Sequence, residues 1–382
     1  MKIVVAPDSF KGSLTASGAG EAMRQGILKA SLHHEIVVIP MADGGEGSVR
    51  CLVDATGGQL FATTVENSTG KPIEATYGVL GDGATCVIEL AAACGLYVIE
   101  KSERNPLFTS TYGFGQLITA GLERGYRRFV LCLGGSGTND GGAGMLEALG
   151  AKLLDANGHL IQRGAIGLSD LHAIDTASMD PRIYACDIQI ACDVTNPLVG
   201  SLGASYVFGP QKGADTAAVE LLEVLMKKWA DHLEQMSSIP VRSAAGAGAG
   251  GGTAAGILAL LQGRIRAGSS LIAEISELER HVQGADLVLT GEGKVDSQTA
   301  HGKTPSGVAF IAKKHGVPTI IIAGTVGSNI ENLYTQGVCS VLSLLNKPMS
   351  LDEALENAAA MLENTTEAAV RLFAAGSANK NH

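Results

Sequence analysis

The motif Asp-Gly-Gly-x-Gly occurs twice in this chain, at residues 43–47 and 140–144. Each copy follows an apolar run, residues 35–41 in the first case and residues 129–133 in the second. An apolar run followed by this motif is typical of a buried strand that ends at a ligand. The glycines permit positive φ and a close approach of the backbone to that ligand. The helix expected after each motif offers free N–H groups to an anion, and the carboxylate can hold Mg²⁺ against phosphate oxygens. We therefore expect a ligand site with two walls.

The composition favours helices packed on parallel sheets and excludes several classes of function. The 382 residues suffice for two domains, and 46% of them are hydrophobic, 17% charged and 50 are glycine. This is the usual make-up of parallel sheets covered by helices. The net charge of -10 argues against nucleic acid as a partner, since phosphate backbones need a basic surface.

Cysteine and histidine usage indicates a reducing compartment without structural zinc. The seven cysteines form no CxxC pair, and the nine histidines show no ligand spacing, so we expect free thiols and no zinc site. The chain enters a strand at once, and no apolar run has the length of a membrane span. We expect a cytoplasmic protein with no membrane partner; whether it forms a homo-oligomer stays open.

The order of predicted elements indicates an α/β fold in which one domain is inserted into another. Residues 2–6 and 35–41 are strands that flank a helix, as in a βαβ unit. Residues 58–90 alternate between apolar and polar residues with turn signals, as antiparallel strands do. Buried strands like the first return at 286–290 and 319–323.

These observations set the expected domain boundaries. One domain comprises residues 1–75 and 286–382, and the inserted domain comprises residues 76–285. The active-site cleft is expected between them.

Carboxylates and lysines stand where the predicted strands end, which is where ligands bind in open α/β sheets. Asp8 could orient a substrate hydroxyl, and Lys11 could meet a carboxylate or phosphate; an Asx turn with a solvated lysine explains both equally well. Asp193 could take a proton from an alcohol, and a plain turn carboxylate is an equal alternative. Lys212 could reach a phosphate, although a solvated lysine is the commoner outcome.

The segment 290–296 also follows a buried strand directly. Glu292 and Asp296 could hold a metal or orient a hydroxyl, and the alternative is a polar loop that caps the next helix. Two segments resemble nucleotide-binding motifs, but each lacks a feature that its motif requires. Gly246, Gly248 and Gly251 give G-x-G-x-x-G without a preceding strand, and Gly302-Lys303-Thr304 lacks the earlier glycine of a P-loop. The residues alone therefore support a two-domain α/β enzyme suited to phosphoryl transfer with Mg²⁺, with its substrate undetermined.

Six motifs, in order along the chain, resemble those of the bacterial type 1 glycerate kinases. They lie at residues 6–11, 42–47, 134–142, 191–198, 208–213 and 290–293. The resemblance implies ATP-dependent phosphorylation of D-glycerate, most often giving 2-phosphoglycerate and ADP. It also implies a Rossmann-like parallel-sheet domain built from both chain ends and an inserted α/β domain with a mixed sheet.

Combining motifs and resemblance gives a set of expected site residues, with Mg²⁺ and ATP as cofactor and co-substrate. The expected catalytic residues are Asp193 (the preferred base), Asp8, Asp296 and Lys11. The expected substrate- and phosphate-binding residues are Ser9, Asp43, Gly44, Gly45, Glu46, Gly134, Gly135, Ser136, Thr138, Asn139, Asn196, Lys212, Gly291 and Gly293. The expected metal ligands are Asp140 and Glu292.

Three alternatives remain open from the sequence. The enzyme could phosphorylate the 3-hydroxyl, it could be a kinase for another small hydroxy acid, or the scaffold could serve as a non-catalytic metabolite sensor.

Overall fold

The computed structural model describes residues 1–297, residue 299 and residues 303–378. The strands are β1 (Lys2–Val5), β2 (Glu35–Val38), β3 (Gln59–Glu66), β4 (Pro72–Val79), β5 (Thr85–Glu89), β6 (Arg128–Cys132), β7 (Lys152–Leu154), β8 (Ala173–Asp175), β9 (Asp187–Ala191), β10 (Arg264–Arg266), β11 (Leu287–Val295), β12 (Thr319–Val326) and β13 (Val338–Ser343).

The helices of the same residues lie between these strands and after the last of them. They are α1 (Ala16–Ala30), α2 (Ser48–Thr56), α3 (Leu90–Cys94), α4 (Tyr112–Glu123), α5 (Ala143–Ala148), α6 (Ala204–Phe208), α7 (Thr216–Ser237), α8 (Thr253–Leu260), α9 (Gly268–Ile275), α10 (Leu278–Val282), α11 (Thr304–Lys314), α12 (Glu331–Thr335), α13 (Leu351–Glu356) and α14 (Ala358–Ala378).

The chain divides into two compact units. Unit 1 comprises Met1–Asp43, Asp54–Thr56 and Ser269–His382, and unit 2 comprises Gly44–Val53 and Gly57–Gly268. The sequence-based division at residues 75 and 286 concerns independently folding domains, and it stays a prediction. Each unit has its own sheet, so the expected α/β class, with one parallel and one mixed sheet, is confirmed.

Unit 1 is built on a five-stranded sheet in the order β13-β12-β11-β1-β2, and every pairing in it is parallel. Its strands are apolar along most of their length because helices cover a parallel sheet on both faces. After β1 the chain moves to β2 on one side, whereas after β11 it moves to β12 on the other. The neighbouring strands β1 and β11 therefore form a topological switch point, the position where open α/β sheets open a crevice for ligands.

Two long helices hold one face of the unit 1 sheet. Met23 and Ile27 of α1 and Leu362 and Val370 of α14 belong to one buried apolar cluster with the strands. The helices approach closely at Gly26, where a Cβ atom would lie 2.3 Å from the carbonyl oxygen of Glu363. This packing fixes the sheet and leaves its carboxyl edge for the site.

Unit 2 contains a six-stranded sheet in the order β10-β9-β6-β5-β4-β3. The β3–β4 and β4–β5 pairs are antiparallel and the others parallel, which explains why only residues 58–90 alternated in the sequence. The core of the unit includes Trp229, Phe114 and Phe129, each nearly inaccessible. No helix among the residues that the structure describes is long and apolar enough to cross a membrane.

Candidate active site

A cavity of about 560 Å³ opens at the switch point of unit 1. The chain after β1 and the outer part of β11 supply its polar side, and the segment 344–361 supplies an apolar side. The charged and hydroxyl side chains that line it include Asp8, Ser9, Lys11, Asp43, Glu292 and Lys303. Five of these six residues were expected in the site from the sequence.

Asp8 is held in place by the neighbouring strand β11 and by the first residue of α11. Its backbone N–H donates to the carbonyl of Gly291 at 2.8 Å. Its carboxylate accepts hydrogen bonds from the Thr304 hydroxyl at 2.7 Å and from the Ser9 N–H at 2.6 Å. Desolvation, helped by the charge of Asp43, raises the pKa of Asp8 from 3.8 to about 6. A carboxylate with a pKa near neutrality is suited to accept a proton from a reacting hydroxyl.

Glu292 is the second carboxylate of the cavity with a raised pKa. Its Oε1 accepts a hydrogen bond from the Thr299 hydroxyl at 2.7 Å. Desolvation raises the pKa of Glu292 from 4.5 to about 7, the charges of Asp8 and Asp296 add to the effect, and the charge of Lys303 opposes it. A cation brought to this cavity would therefore relieve repulsion between carboxylates.

The acidic residue that follows β11 has a different environment. Asp296 pairs through Oδ2 with the ammonium of Lys294 at 3.0 Å, and its N–H donates to the Thr299 hydroxyl at 3.1 Å. Gly291 lies inside the sheet, where a Cβ atom would be 2.1 Å from the carbonyl oxygen of Ile322. Gly293 lies beside the backbone of Lys11: a Cβ atom on Gly293 would be 3.4 Å from the backbone nitrogen of Lys11.

The donors present fit Mg²⁺ only as an ion that arrives with phosphate. No three Asp, Glu, His or Cys side chains are grouped as metal ligands in the described part of the chain. Mg²⁺ keeps several waters and commonly binds through one or two carboxylates together with substrate phosphates. Glu292, which is desolvated and repelled by the charge of Asp8, satisfies that smaller requirement.

In unit 2 the loop after β6 forms a glycine-rich cradle, residues 134–142. Gly135, Gly141 and Gly142 have positive φ values of 74°, 66° and 83°, a region that favours glycine. The indole N–H of Trp229 donates to the Gly141 carbonyl at 3.0 Å. A Cβ atom on Gly141 would lie 2.3 Å from the Trp229 ring, so a side chain at this position would displace the loop.

Asp140 clamps the cradle from inside. It is inaccessible to solvent, and it accepts hydrogen bonds from the N–H and hydroxyl of Thr111 at 2.8 and 2.9 Å. The N–H groups of Gly142 and Gly144 complete the set at 3.1 and 3.2 Å. Burial raises its pKa. Because four donors already occupy this carboxylate, it could ligate a metal only by giving up some of them, and its expected role as a ligand stays a prediction.

Lys212 is buried rather than solvated. Its ammonium donates to the Ser136 hydroxyl at 2.9 Å and to the Thr138 carbonyl at 2.7 Å. Burial lowers the pKa of Lys212 from 10.5 to about 7, while the charge of Asp140 opposes the change. The solvated lysine that the turn composition favoured is thus wrong, and Lys212 anchors the cradle.

Gly44, which follows Asp43 in the first Asp-Gly-Gly motif, meets the cradle within unit 2. The N–H of Gly134 donates to the Gly44 carbonyl at 3.1 Å. Gly44 has φ of 86°, and a Cβ atom there would lie 2.7 Å from the Ala191 carbonyl oxygen. Gly45 is half-buried, whereas the side chain of Glu46 is exposed.

The remaining expected residues follow or face β9. Asp193 is half-buried two residues after the strand. The side-chain amide of Asn196 donates to the Leu202 carbonyl at 2.8 Å, and the backbone carbonyl of Asn196 accepts from the Gly248 N–H at 3.0 Å. Asn139 lies inside the cradle, where its amide donates to the Ser205 hydroxyl at 3.2 Å.

Several contributing residues were not predicted from the sequence. Thr111 and Thr304 hold carboxylates by hydroxyl hydrogen bonds, and Lys303 lines the cavity. Lys303 and Thr304 carried a signal, the Gly-Lys-Thr triplet, which was set aside with the P-loop; Gly302 lies outside the described residues. Glu89, at the end of β5, also went unnoticed: it accepts from the Val49 N–H at 2.6 Å, and desolvation raises its pKa to about 7.

Comparison with known proteins gives a consistent result. A model of the glycerate kinase family matches residues 3–374. A glycerate kinase of Halalkalibacterium halodurans is 45% identical over 379 residues, which is 99% of each chain. The glycerate 2-kinase of Escherichia coli (strain K12) is 43% identical over 358 residues, which is 94% of each chain. A crystal structure from Salmonella typhimurium LT2, assigned as a glycerate kinase 2, superposes with a TM-score of 0.87 at 41% identity and full coverage of both chains.

These similarities extend over nearly the whole length of the sequence, and they confirm the resemblance noted from its motifs. The enzyme is a phosphotransferase with an alcohol group as acceptor, and the chain belongs to the glycerate kinase family.

Proposed function

We propose that this enzyme uses ATP with Mg²⁺ to phosphorylate D-glycerate at its 2-hydroxyl, giving 2-phosphoglycerate and ADP. The observation that carries the proposal is the unit 1 cavity, in which Asp8 and Glu292 have pKa values near neutrality beside Lys11 and Lys303. Phosphoryl transfer needs positioned cations and carboxylates rather than covalent chemistry by the protein. The E. coli relative named glycerate 2-kinase supports the choice of the 2-hydroxyl.

Each charged side chain of the cavity receives a role from its environment. Lys11 and Lys303 neutralise oxygens of the transferred phosphoryl group, as preorganised cations do in many phosphotransferases. Glu292 holds the cation that accompanies the phosphates; when bound, Mg²⁺ offsets the negative charge that develops on the phosphoryl oxygens. Ser9 and Asp43 border the same space and contact the substrate or its phosphates.

Asp8 is the base that the geometry favours. Its two hydrogen bonds fix the carboxylate in one orientation, and its pKa of about 6 leaves it ionised and able to accept a proton at neutral pH. Asp193, preferred from the sequence, is kept as the rival base, and Asp296 is the weaker candidate because it is paired with Lys294. A base typically contributes about 10²–10⁴ in rate. A comparison of kcat for Asp8→Asn and Asp193→Asn therefore distinguishes the two candidates, because the variant that lacks the base should lose this factor.

The cradle of unit 2 is proposed to bind phosphate or the glycerate carboxylate. Gly134, Gly135, Ser136, Thr138 and Asn139 form its loop, and the buried amine of Lys212, charged below its pKa of about 7, donates hydrogen bonds to it. Burial of the ammonium strengthens its interaction with any anion that reaches the loop, because the local dielectric constant is low.

A coupled assay of ADP release tests the proposal. We expect ADP formation that requires D-glycerate, ATP and Mg²⁺ together, and much slower formation with L-glycerate or with a hydroxy acid that lacks the 3-hydroxyl, such as lactate. Equal rates with such acids would favour a kinase of broader acceptor range. A folded, ATP-binding protein that releases no ADP with any of these acceptors would contradict the proposal.

A further inference from the structure

We propose that the apolar side of the unit 1 cavity binds the nucleoside of ATP, so that the base and ribose lie against it while the phosphates face the charged side. The inference rests on the proposed use of ATP. We call this surface the apolar wall; it includes Leu344, Leu345, Met349, Leu351, Leu355 and Met361.

The size and chemistry of the cavity point to a ligand larger than glycerate. Its volume of about 560 Å³ lies in the range of pockets that enclose drug-sized small molecules, roughly 300–1,000 Å³. Glycerate is a three-carbon acid with an oxygen on every carbon, so it has no apolar surface to place on aliphatic side chains. A wall of leucine and methionine beside lysines and carboxylates instead matches a molecule that joins a flat heterocycle to a chain of phosphates.

Two leucines of the wall are exposed, and a ring bound against the wall would cover them. Leu345 is 40% exposed and Leu351 is 72% exposed. Each exposed leucine loses the free energy of burial, and covering apolar surface returns roughly 25 cal/mol per Å². Both residues line the same cavity as Lys11 and Lys303, so one ligand can cover the leucines and pair with the lysines at once.

The wall is tied to the strand ends that carry the charges. The Ser13 hydroxyl donates to the Leu355 carbonyl at 2.8 Å, which joins α13 to the loop that bears Lys11. The Leu344 N–H donates to the Ala323 carbonyl of β12 at 2.8 Å. The Ser350 hydroxyl accepts from the Glu353 N–H at 3.2 Å and caps α13. The wall is therefore preformed, and binding does not have to order it.

The test uses a pair of double variants matched in chemistry, each of which truncates two exposed leucines. Leu345→Ala with Leu351→Ala truncates the wall. Leu32→Ala with Leu372→Ala truncates two leucines of unit 1, 79% and 73% exposed, that do not line the cavity. Both pairs remove the same atoms from exposed positions and leave the net charge unchanged, and a thermal unfolding curve for each confirms that it folds.

We expect the wall variant to bind ATP about tenfold more weakly, the loss that corresponds to one uncovered leucine. Its KM for D-glycerate and its inhibition by inorganic tripolyphosphate should not change, because neither molecule carries a nucleoside. The control variant should match the parent in all three measurements.

Direct titration of ATP, beside the turnover assay, keeps the two proposals apart. Equal ATP affinity in the wall and control variants would overturn the assignment of the wall even if ATP-dependent turnover is found. Tripolyphosphate binding that weakens as much as ATP binding would also overturn it. Selective loss of ATP affinity would support the wall even in an enzyme whose phosphoryl acceptor is not glycerate, and a parent that binds no ATP would overturn both proposals.

Discussion

Replacing Glu292 by glutamine should stabilise the unliganded protein in a way that depends on pH. The ionised carboxylate is desolvated and faces the charges of Asp8 and Asp296, and its pKa is raised from 4.5 to about 7. Glutamine keeps the acceptor that bonds the Thr299 hydroxyl and removes the charge. The difference in free energy of unfolding between parent and variant therefore measures how much the charged side chain destabilises the folded protein.

The magnitude follows from linkage between protonation and folding. One pKa unit corresponds to about 1.4 kcal/mol, so a rise from 4.5 to about 7 costs the folded state about 3 kcal/mol once the group is ionised in both states. A raised pKa means that the folded protein binds the proton more tightly than the unfolded chain does. The folded state thus loses stability as pH rises, and the loss is complete above the folded pKa of about 7.

The assay is thermal or denaturant unfolding of parent and variant at pH 5 and pH 8.5. We expect Glu292→Gln to gain about 3 kcal/mol at pH 8.5 and less than about 1 kcal/mol at pH 5. For a unit of this size the larger gain corresponds to a midpoint roughly 6–10 °C higher. The control is Glu356→Gln, an exposed carboxylate on α13, which should change stability by less than about 0.5 kcal/mol at both values.

Two results would refute this reasoning. A gain of the same size at pH 5 and pH 8.5 would show that glutamine packs better and that charge is not the cause. A loss of stability at pH 8.5 would show that the carboxylate is stabilised as an anion by its neighbours. The variant should in either case turn over more slowly, since the proposed cation loses its ligand.

Further predictions concern the cradle of unit 2. Gly141→Ala should destabilise the protein by about 3 kcal/mol, because the cost of positive φ adds to a clash with Trp229. The control Gly83→Ala, at φ of 65° in open space, should cost about 1 kcal/mol. Equal losses of stability in unfolding experiments would contradict the clash. Thr111→Val removes a hydroxyl donor from the buried carboxylate of the cradle and should cost about 2 kcal/mol in a denaturant titration. Lys212→Met should flatten the rise in stability that the parent shows above about pH 7, because there the unfolded chain holds a lysine proton that the folded chain has lost; an unchanged pH profile would contradict its burial.

The positions of the site carboxylates were predictable because local signals determine them. Asp8 and Glu292 stand where short apolar runs stop, and parallel strands bring their carboxyl ends to one edge of a sheet. The structure places both at the switch point of unit 1, although no local signal indicated their raised pKa values. Those values come from burial, from the charge of Asp43 near Asp8 and from the charge of Asp8 near Glu292, neighbours that only the fold brings close.

The interior of the cradle could not be predicted from the chain alone. Asp140 bonds Thr111, a residue 29 positions earlier, and no spacing rule links the two. Lys212 lies in a Gly-Pro turn that usually leaves a lysine in water, yet its ammonium reaches Ser136, 76 positions earlier. Lys303 was passed over because its triplet was judged only as a P-loop. For Asp140 and Lys212, the partner that gives the residue its role is remote in sequence.

The product of the reaction tests the central claim most directly. Parent enzyme, D-glycerate, ATP and Mg²⁺ are incubated, and the phosphorylated product is identified by proton-coupled ³¹P NMR. The account predicts 2-phosphoglycerate, whose phosphorus couples to the single proton on C2 and gives a doublet. A triplet from 3-phosphoglycerate, whose phosphorus couples to the two protons on C3, would contradict the assignment of the 2-hydroxyl, and the absence of any phosphorylated glycerate would contradict the proposed reaction itself.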